Sequence, residues 1–239
     1  MKAIWHTIYN ELRADIENGT YQFQELLPSE AVLVERFGCS HNTVRKALAA
    51  LADEGYVQPI HGKGVRVIHQ PRERALFEVG GVETFEESMH RMNITSITRV
   101  PRFETVVADD ALARATGFMP GQELIHIDRV RIIGGEAVIR DENHFLASAV
   151  PGLSRETAEH SIYRYLEQEL GLRIGQCRRE ITVEPANARD YELLDLDAGM
   201  YLAVVRSQTF TAEGELFEHT CSRHRPDSFV FQSTARRKA

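Results

Sequence analysis

Arg129 and Arg131 sit two positions apart in "LIHIDRVRII", on a strand face whose other members are Ile125, Ile127 and Ile133. A guanidinium stays charged at any working pH, and burying it without an anion is expensive. The pair therefore either closes internal salt bridges with a neighbouring strand or lines a pocket for an anionic ligand. In "ELFEHTCSRHR", Leu216, Glu218, Thr220, Ser222 and His224 fall on one side at strand period. That polar face is either solvated or shaped for a hydroxyl-rich ligand such as a sugar. Asp141 and the Ser161/Tyr163 pair at a helix start would close such a site; otherwise Ser161 is a helix cap and Tyr163 a core residue. A third group, Asn42, Arg45 and Lys46, offers donors to base edges or phosphates from a helix whose opposite stripe is apolar. No activated nucleophile stands out, and Cys39, Cys177 and Cys221 share no ligand spacing, so no catalytic residue, metal or cofactor is expected.

The elements that must position these groups follow from periodicity. Ile4, Ile8, Leu12 and Ile16, with Trp5 and Tyr9, predict an amphipathic helix ended at Asn18-Gly19. "LLPSEAVLVERFG" predicts a second helix that starts at Pro28-Ser29, carries Leu33, Val34 and Phe37 and stops at Gly38. Ser40 caps a third, in which Val44, Ala47, Leu48 and Leu51 share one face while Asn42, Lys46 and Ala49 oppose it and His41 and Arg45 flank it. After Gly55, "YVQPIHGKGVRVI" reads as two strands around His61-Gly62-Lys63-Gly64, a basic turn suited to a sugar-phosphate backbone. A charged stretch containing Pro71 and ending in Gly80-Gly81 reads as a linker from about residue 69. The domains are then 1–70, a linker over 71–80, and 81–239. The last begins with a short helix that Thr84 would cap with Glu87 at its third position. Strands are expected at 97–107, 122–133, 136–147, 174–184, 200–211 and 214–225, and helices at 109–116, 161–170 and 187–194. Short turns such as Gly134-Gly135 make the sheet antiparallel and the chain α+β.

The chain has 239 residues with 28 Lys and Arg against 35 Asp and Glu, a formal charge of −7. The excess acid lies beyond residue 70, where 21 basic residues face 27 acidic ones, against seven and eight before it. A locally positive surface of Arg36, Arg45, Lys46, Lys63 and Arg66 is expected in an acidic protein, which excludes only indiscriminate nucleic-acid binding. No apolar run is long enough for a membrane span, so no membrane partner is expected and the cytoplasm is the expected location.

"LPSEAVLVERFGCSHNTVRKALAALADEGYVQPIHGKGVRV" resembles the winged helix-turn-helix domain of the gluconate-repressor (GntR) family of bacterial transcription factors. The resemblance implies that Ser40, His41, Asn42, Thr43 and Arg45 meet DNA from the third helix, with Lys46 beside them, and His61, Gly62 and Lys63 from the wing. Ala31 and His41 stand where the family commonly has Arg, so the operator sequence does not carry over. The rest is similar to the UTRA effector domain of the histidine-utilisation-repressor (HutC) branch, which shares a chorismate-lyase-like fold without its catalysis. "SIYRYLEQELGL", "EITVEPANARDYELLDL" and "FEHTCSRHRPDSFVFQSTARRK" look like the trehalose operon repressors of Gram-positive bacteria within that branch.

Carried over residue by residue, the branch implies a phosphate at Thr84 and the backbone N–H groups of Phe85 and Glu86, completed by Arg129, Ser161 and Tyr163. Arg131, Asp141, Glu218 and His224 would address sugar hydroxyls; His224 stands where the branch often has Tyr. The expectation is a homodimeric repressor of a sugar-utilisation operon, released from double-stranded operator DNA by a phosphorylated sugar, trehalose 6-phosphate first. The alternatives are the same fold with an amino-sugar phosphate or other small effector, and an enzyme on the chorismate-lyase-like scaffold.

Overall fold

The structure, a computed structural model, describes residues 4–70, 77–78, 85–91 and 93–232. They form two compact units, the first ending at residue 70 and the second beginning at residue 77.

In the first unit, helices α1 (Ile4–Glu17), α2 (Glu30–Phe37) and α3 (His41–Asp53) precede strands β1 (Val57–Ile60) and β2 (Gly64–Val67). Ile8, Leu12 and Ile16 of α1 pack with Leu33 of α2 and with Val44, Ala47, Leu48 and Leu51 of α3 in one apolar cluster. The α1 stripe begins a turn later than its periodicity predicts, for Ile4 is 59% exposed. Ser29 and Ser40 cap α2 and α3 by accepting from the N–H groups of Val32 and Thr43, and Gly38 ends α2 at φ 58°. Only two residues, Gly38 and Cys39, separate α2 from the Ser40 cap, which sets α3 tightly against α2. The β1–β2 turn is His61-Gly62-Lys63, with Gly62 and the following Gly64 at φ 69° and 106°, a backbone that side-chain-bearing residues resist. Residues 24–27 form a third edge on this ribbon, Leu27 N–H donating to Val65 and Val67 N–H to Glu25. Its sequence, Gln24-Glu25-Leu26-Leu27, carries no strand alternation, so periodicity does not predict the edge.

The second unit runs β3 (Phe77–Glu78), α4 (Phe85–Arg91), β4 (Ser96–Val107), α5 (Asp110–Thr116), β5 (Glu123–Ile133), β6 (Glu136–Leu146), α6 (Arg155–Glu159), α7 (Ile162–Arg164), β7 (Ile174–Pro185), α8 (Ala188–Leu193), β8 (Tyr201–Thr211), β9 (Leu216–His224) and β10 (Phe231–Gln232). β3 and β10 pair with each other in parallel. The other six strands form one antiparallel sheet in the order β4-β5-β6-β9-β8-β7. It is two three-stranded meanders joined along β6 and β9, so its centre comes from segments far apart in sequence. The six strands lie where alternation predicts them. The expected helix over 161–170 is α7 followed by a π-turn over Tyr165–Glu169, and α6 was not anticipated. The Thr84 cap with Glu87 lies outside the described residues.

One sheet face is apolar at one end, where Ile127, Phe145 and Phe217 pack with Ala158, Ile162 and Leu166. On the other face α8 is fastened by charge. Asp190, fully buried, accepts from Arg140 Nη1 at 3.0 Å and Arg223 Nε at 2.8 Å, beside the cluster of Val130, Leu194, Leu202 and Val204. Such a shared carboxylate is weak evidence of net stabilisation, yet removing it would leave two buried cations.

Candidate functional site

On the first unit, His41, Asn42, Arg45 and Lys46 are exposed along α3, and His61, Gly62 and Lys63 are exposed at the turn. Ser40 and Thr43 are tied to each other, hydroxyl to hydroxyl at 2.9 Å, as part of the cap. Lys46 Nζ stands 4.5 Å over the Trp5 ring, a cation–π contact that turns it toward α1. Periodicity does not single out Glu30, the third member of this group. Its Oε2 accepts from Arg45 Nε at 2.9 Å and lies 3.6 Å from His41 Nδ1. Arg36 corrects an expectation, because it bonds Glu11, Asp15 and the Tyr21 hydroxyl rather than contributing to the positive surface. Helix periodicity places a residue on a face but does not say which neighbouring helix offers it a carboxylate.

In the second unit the polar half of the sheet face becomes a cavity of about 1120 Å³, its open mouth included. Phe85, Glu86, Arg129, Arg131, Asp141, Ser161, Tyr163, Glu218 and His224 all line it. Thr84 lies outside the described residues. Register explains the convergence: Arg129 pairs with Asp141 across β5 and β6, and Asp141 with Ser222 across β6 and β9. The solvated reading of the β9 face is corrected here, since Glu218 and His224 are 4% and 5% exposed.

The salt-bridge reading of the arginine pair holds, and both side chains also line the cavity. Arg131 Nε donates to Asp141 Oδ2 at 2.9 Å and its Nη1 to Thr98 Oγ1 at 2.7 Å, while its guanidinium lies 4.6 Å from the Phe85 ring centre. Arg129 Nε donates to Asn143 Oδ1 at 3.0 Å, and its Nη2 is 3.9 Å from the same Asp141 oxygen. Two guanidinium groups, each with five N–H donors, thus share one carboxylate as their ion-pair partner. Burial, reinforced by Arg131, pulls Arg129 down to about 10, and it still carries its charge at neutral pH. Burial pushes the Asp141 carboxyl up, but Arg131 and Arg129 outweigh it and the net direction is down. The second carboxylate, Glu218, is taken up by neutral groups. Its oxygens accept from Tyr163 at 2.5 Å, Thr209 at 3.1 Å, Thr220 at 2.9 Å and the Asn143 amide at 3.3 Å. Burial, then Glu218, raises the Tyr163 hydroxyl well above its ordinary range, so it remains a donor. Burial takes His224 down to about 4, leaving a neutral imidazole beside Phe229.

Some expected side chains are engaged elsewhere. Ser161 caps α7 by accepting from the Arg164 N–H at 3.3 Å, and Glu86 pairs with Arg164 at 3.3 Å. Asn143, Arg179, Thr209, Thr220 and Ser222 also line the cavity. Asn143 follows Asp141 by two positions and was reachable by the same alternation; Arg179 and Thr209 required the strand order.

The two units match two family models, "Bacterial regulatory proteins, gntR family" over residues 5–67 and "UTRA domain" over residues 91–230. The chain is 39% identical over 231 residues to the HTH-type transcriptional regulator TreR of Bacillus subtilis, covering 97% of this chain and 96% of TreR. The structure of the B. subtilis trehalose repressor (TreR) effector binding domain superposes with a TM-score of 0.55 at 38% identity, covering 60% of this chain and 99% of that one. The possible transcriptional regulator YydK from B. subtilis superposes over 98% of this chain and 100% of its own with a TM-score of 0.83 at 22% identity, a likeness of fold.

Proposed function

The chain belongs to the gntR family of bacterial regulatory proteins, as a transcriptional repressor with a UTRA domain, and from that premise we propose that it represses a sugar-utilisation operon and releases it on binding trehalose 6-phosphate. The observation that carries this reading is the cavity floor, where two buried guanidinium groups share Asp141 beside a wall of hydroxyls, amide and carboxylate. The donors that the arginines leave over suit a phosphate, and Asn143, Glu218, Thr220 and Ser222 suit sugar hydroxyls. The start of α4 at Phe85 and Glu86, with Ser161 and Tyr163, completes the phosphate side. The 39% identity to TreR across nearly its whole length supports trehalose 6-phosphate over other phosphorylated sugars.

The repressor works as a homodimer, because two recognition helices must reach half-sites about one turn, ~34–36 Å, apart. Release requires that the effector bind better to a form whose helices no longer match that spacing. A coupling of ~1–3 kcal/mol would lower operator affinity about 5–150-fold.

The test is a thermal-shift comparison of trehalose 6-phosphate, trehalose, glucose 6-phosphate, glucosamine 6-phosphate and inorganic phosphate. It is followed by fluorescence anisotropy on DNA from upstream of the chain's own gene. The largest stabilisation and DNA release are expected from trehalose 6-phosphate; release by glucosamine 6-phosphate instead would move the assignment to amino sugars.

A further inference from the structure

The sheet face opposite the cavity carries a row that the repressor function does not use. Glu104, His126, His144 and His219 lie side by side across β4, β5, β6 and β9, each paired in register with the next. The His126 and His144 rings stack at 4.3 Å and 18°, and His219 lies 6.3 Å beyond at 47°. These imidazoles are 8%, 4% and 7% exposed, and His126 Nε2, His144 Nδ1 and His219 Nδ1 are buried without a hydrogen-bond partner. Buried polar atoms are nearly always satisfied, and three orphan nitrogens in one row ask for a missing partner. Glu142 closes the group: ligand atoms of His126, His144 and Glu142 all lie within 4.8 Å of one another.

We propose that His126, His144 and Glu142, with His219 next in the row, bind one transition-metal dication of the Zn²⁺ type. The donor set decides the class. Imidazole nitrogens with one carboxylate oxygen suit Zn²⁺, Co²⁺ or Ni²⁺, whereas Ca²⁺ and Mg²⁺ want oxygen ligands throughout. Glu142, Glu104 and Asp128 border the row, each also paired with Arg140, Arg102 or Arg189. Arg140 Nη2 donates to Glu142 Oε2 at 2.6 Å and leaves Oε1 3.7 Å from His126 Nε2, an outer contact of the kind that orients a ligating carboxylate. The stacked rings must turn about their Cβ–Cγ bonds for their lone pairs to converge on one ion.

The test uses the full-length chain without a histidine tag, stripped with chelator and titrated with Co²⁺. One Co²⁺ per chain is expected, with the visible absorption of a four- or five-coordinate nitrogen-rich site that added Zn²⁺ abolishes. His144→Gln and Glu142→Gln should each weaken binding at least tenfold. Glu142→Gln alters the half-buried member, so it decides the matter even where His144→Gln lowers stability. A wild-type chain with no saturable visible band overturns the proposal, as does a band of unchanged affinity in Glu142→Gln.

Discussion

The two units solve opposite problems with their polar groups. In the winged unit the buried cluster is apolar and the groups proposed to meet DNA (His41, Asn42, Arg45, Lys63) are exposed. In the effector unit the sheet buries Arg129, Arg131, Asp141, Asn143, Glu218 and His224 on one face and Arg140, Asp190 and Arg223 on the other. On the proposed assignment, recognition and stability are therefore separable in the first unit and share the same atoms in the second. A DNA phosphate is met in water at the surface; a small ligand has to be enclosed, and its polar partners are enclosed with it.

The largest effect should come from cutting a shared carboxylate. Asp141→Ala leaves two buried guanidinium groups without their anion, and the unit should lose ~3–5 kcal/mol in urea unfolding. A loss below ~1 kcal/mol would show that solvent reaches the arginines and that the contrast between the units is overstated.

Acid should reveal the same burial. The unfolded His224 imidazole takes its proton near 6.5, the native one only near 4, so below 6.5 the unfolded state binds the extra proton first. Stability should be highest above that window and fall as pH drops from 6.5 toward 4, by on the order of 3 kcal/mol for this residue when complete. Unfolding of wild type and His224→Gln from pH 7 to pH 4 isolates the His224 share; parallel curves would mean that His224 is solvated in the native state.

A paired substitution tests the separation directly. Arg129→Ala should weaken the effector by ~1.5–3 kcal/mol, the range for hydrogen bonds to charged groups, and leave operator affinity unchanged. Arg45→Ala should weaken operator binding by ~1–3 kcal/mol, with effector affinity intact and stability within ~0.5 kcal/mol. Calorimetry for the effector and anisotropy for the operator read both; loss of both activities in Arg129→Ala would make that arginine structural.

The sequence was informative wherever one element sufficed. Alternation along β5 and β9 picked out Arg129, Arg131, Glu218 and His224, and turn residues marked the ends of the strands. Partnerships between elements were not legible. Arg36 looked available until α1 supplied Glu11 and Asp15, and the histidines at 126, 144 and 219 form a row only once β9 lies beside β6. Local periodicity fixes direction, whereas register between distant segments is decided by packing the whole sheet.

Glu30 should give the smallest effect and the finest discrimination between the units. Its ion pair with Arg45 joins side chains that are 35% and 64% exposed, so it contributes at most ~1 kcal/mol and Glu30→Gln should melt close to wild type. Its consequence lies in recognition. The carboxylate holds Arg45 in one direction and offsets its charge; on the DNA-contact role proposed for Arg45, a non-specific phosphate must then compete for the guanidinium while a well-placed base edge accepts it as it stands. Glu30→Gln should therefore tighten binding to random DNA by a few-fold and steepen its salt dependence, because one more cation is free to displace counterions. Operator binding should gain less, so the ratio of specific to random affinity falls. Anisotropy titrations on both DNAs at two salt concentrations give that ratio. If both affinities drop together with the melting temperature, Glu30 is a packing residue, and stability and recognition overlap in the winged unit as well.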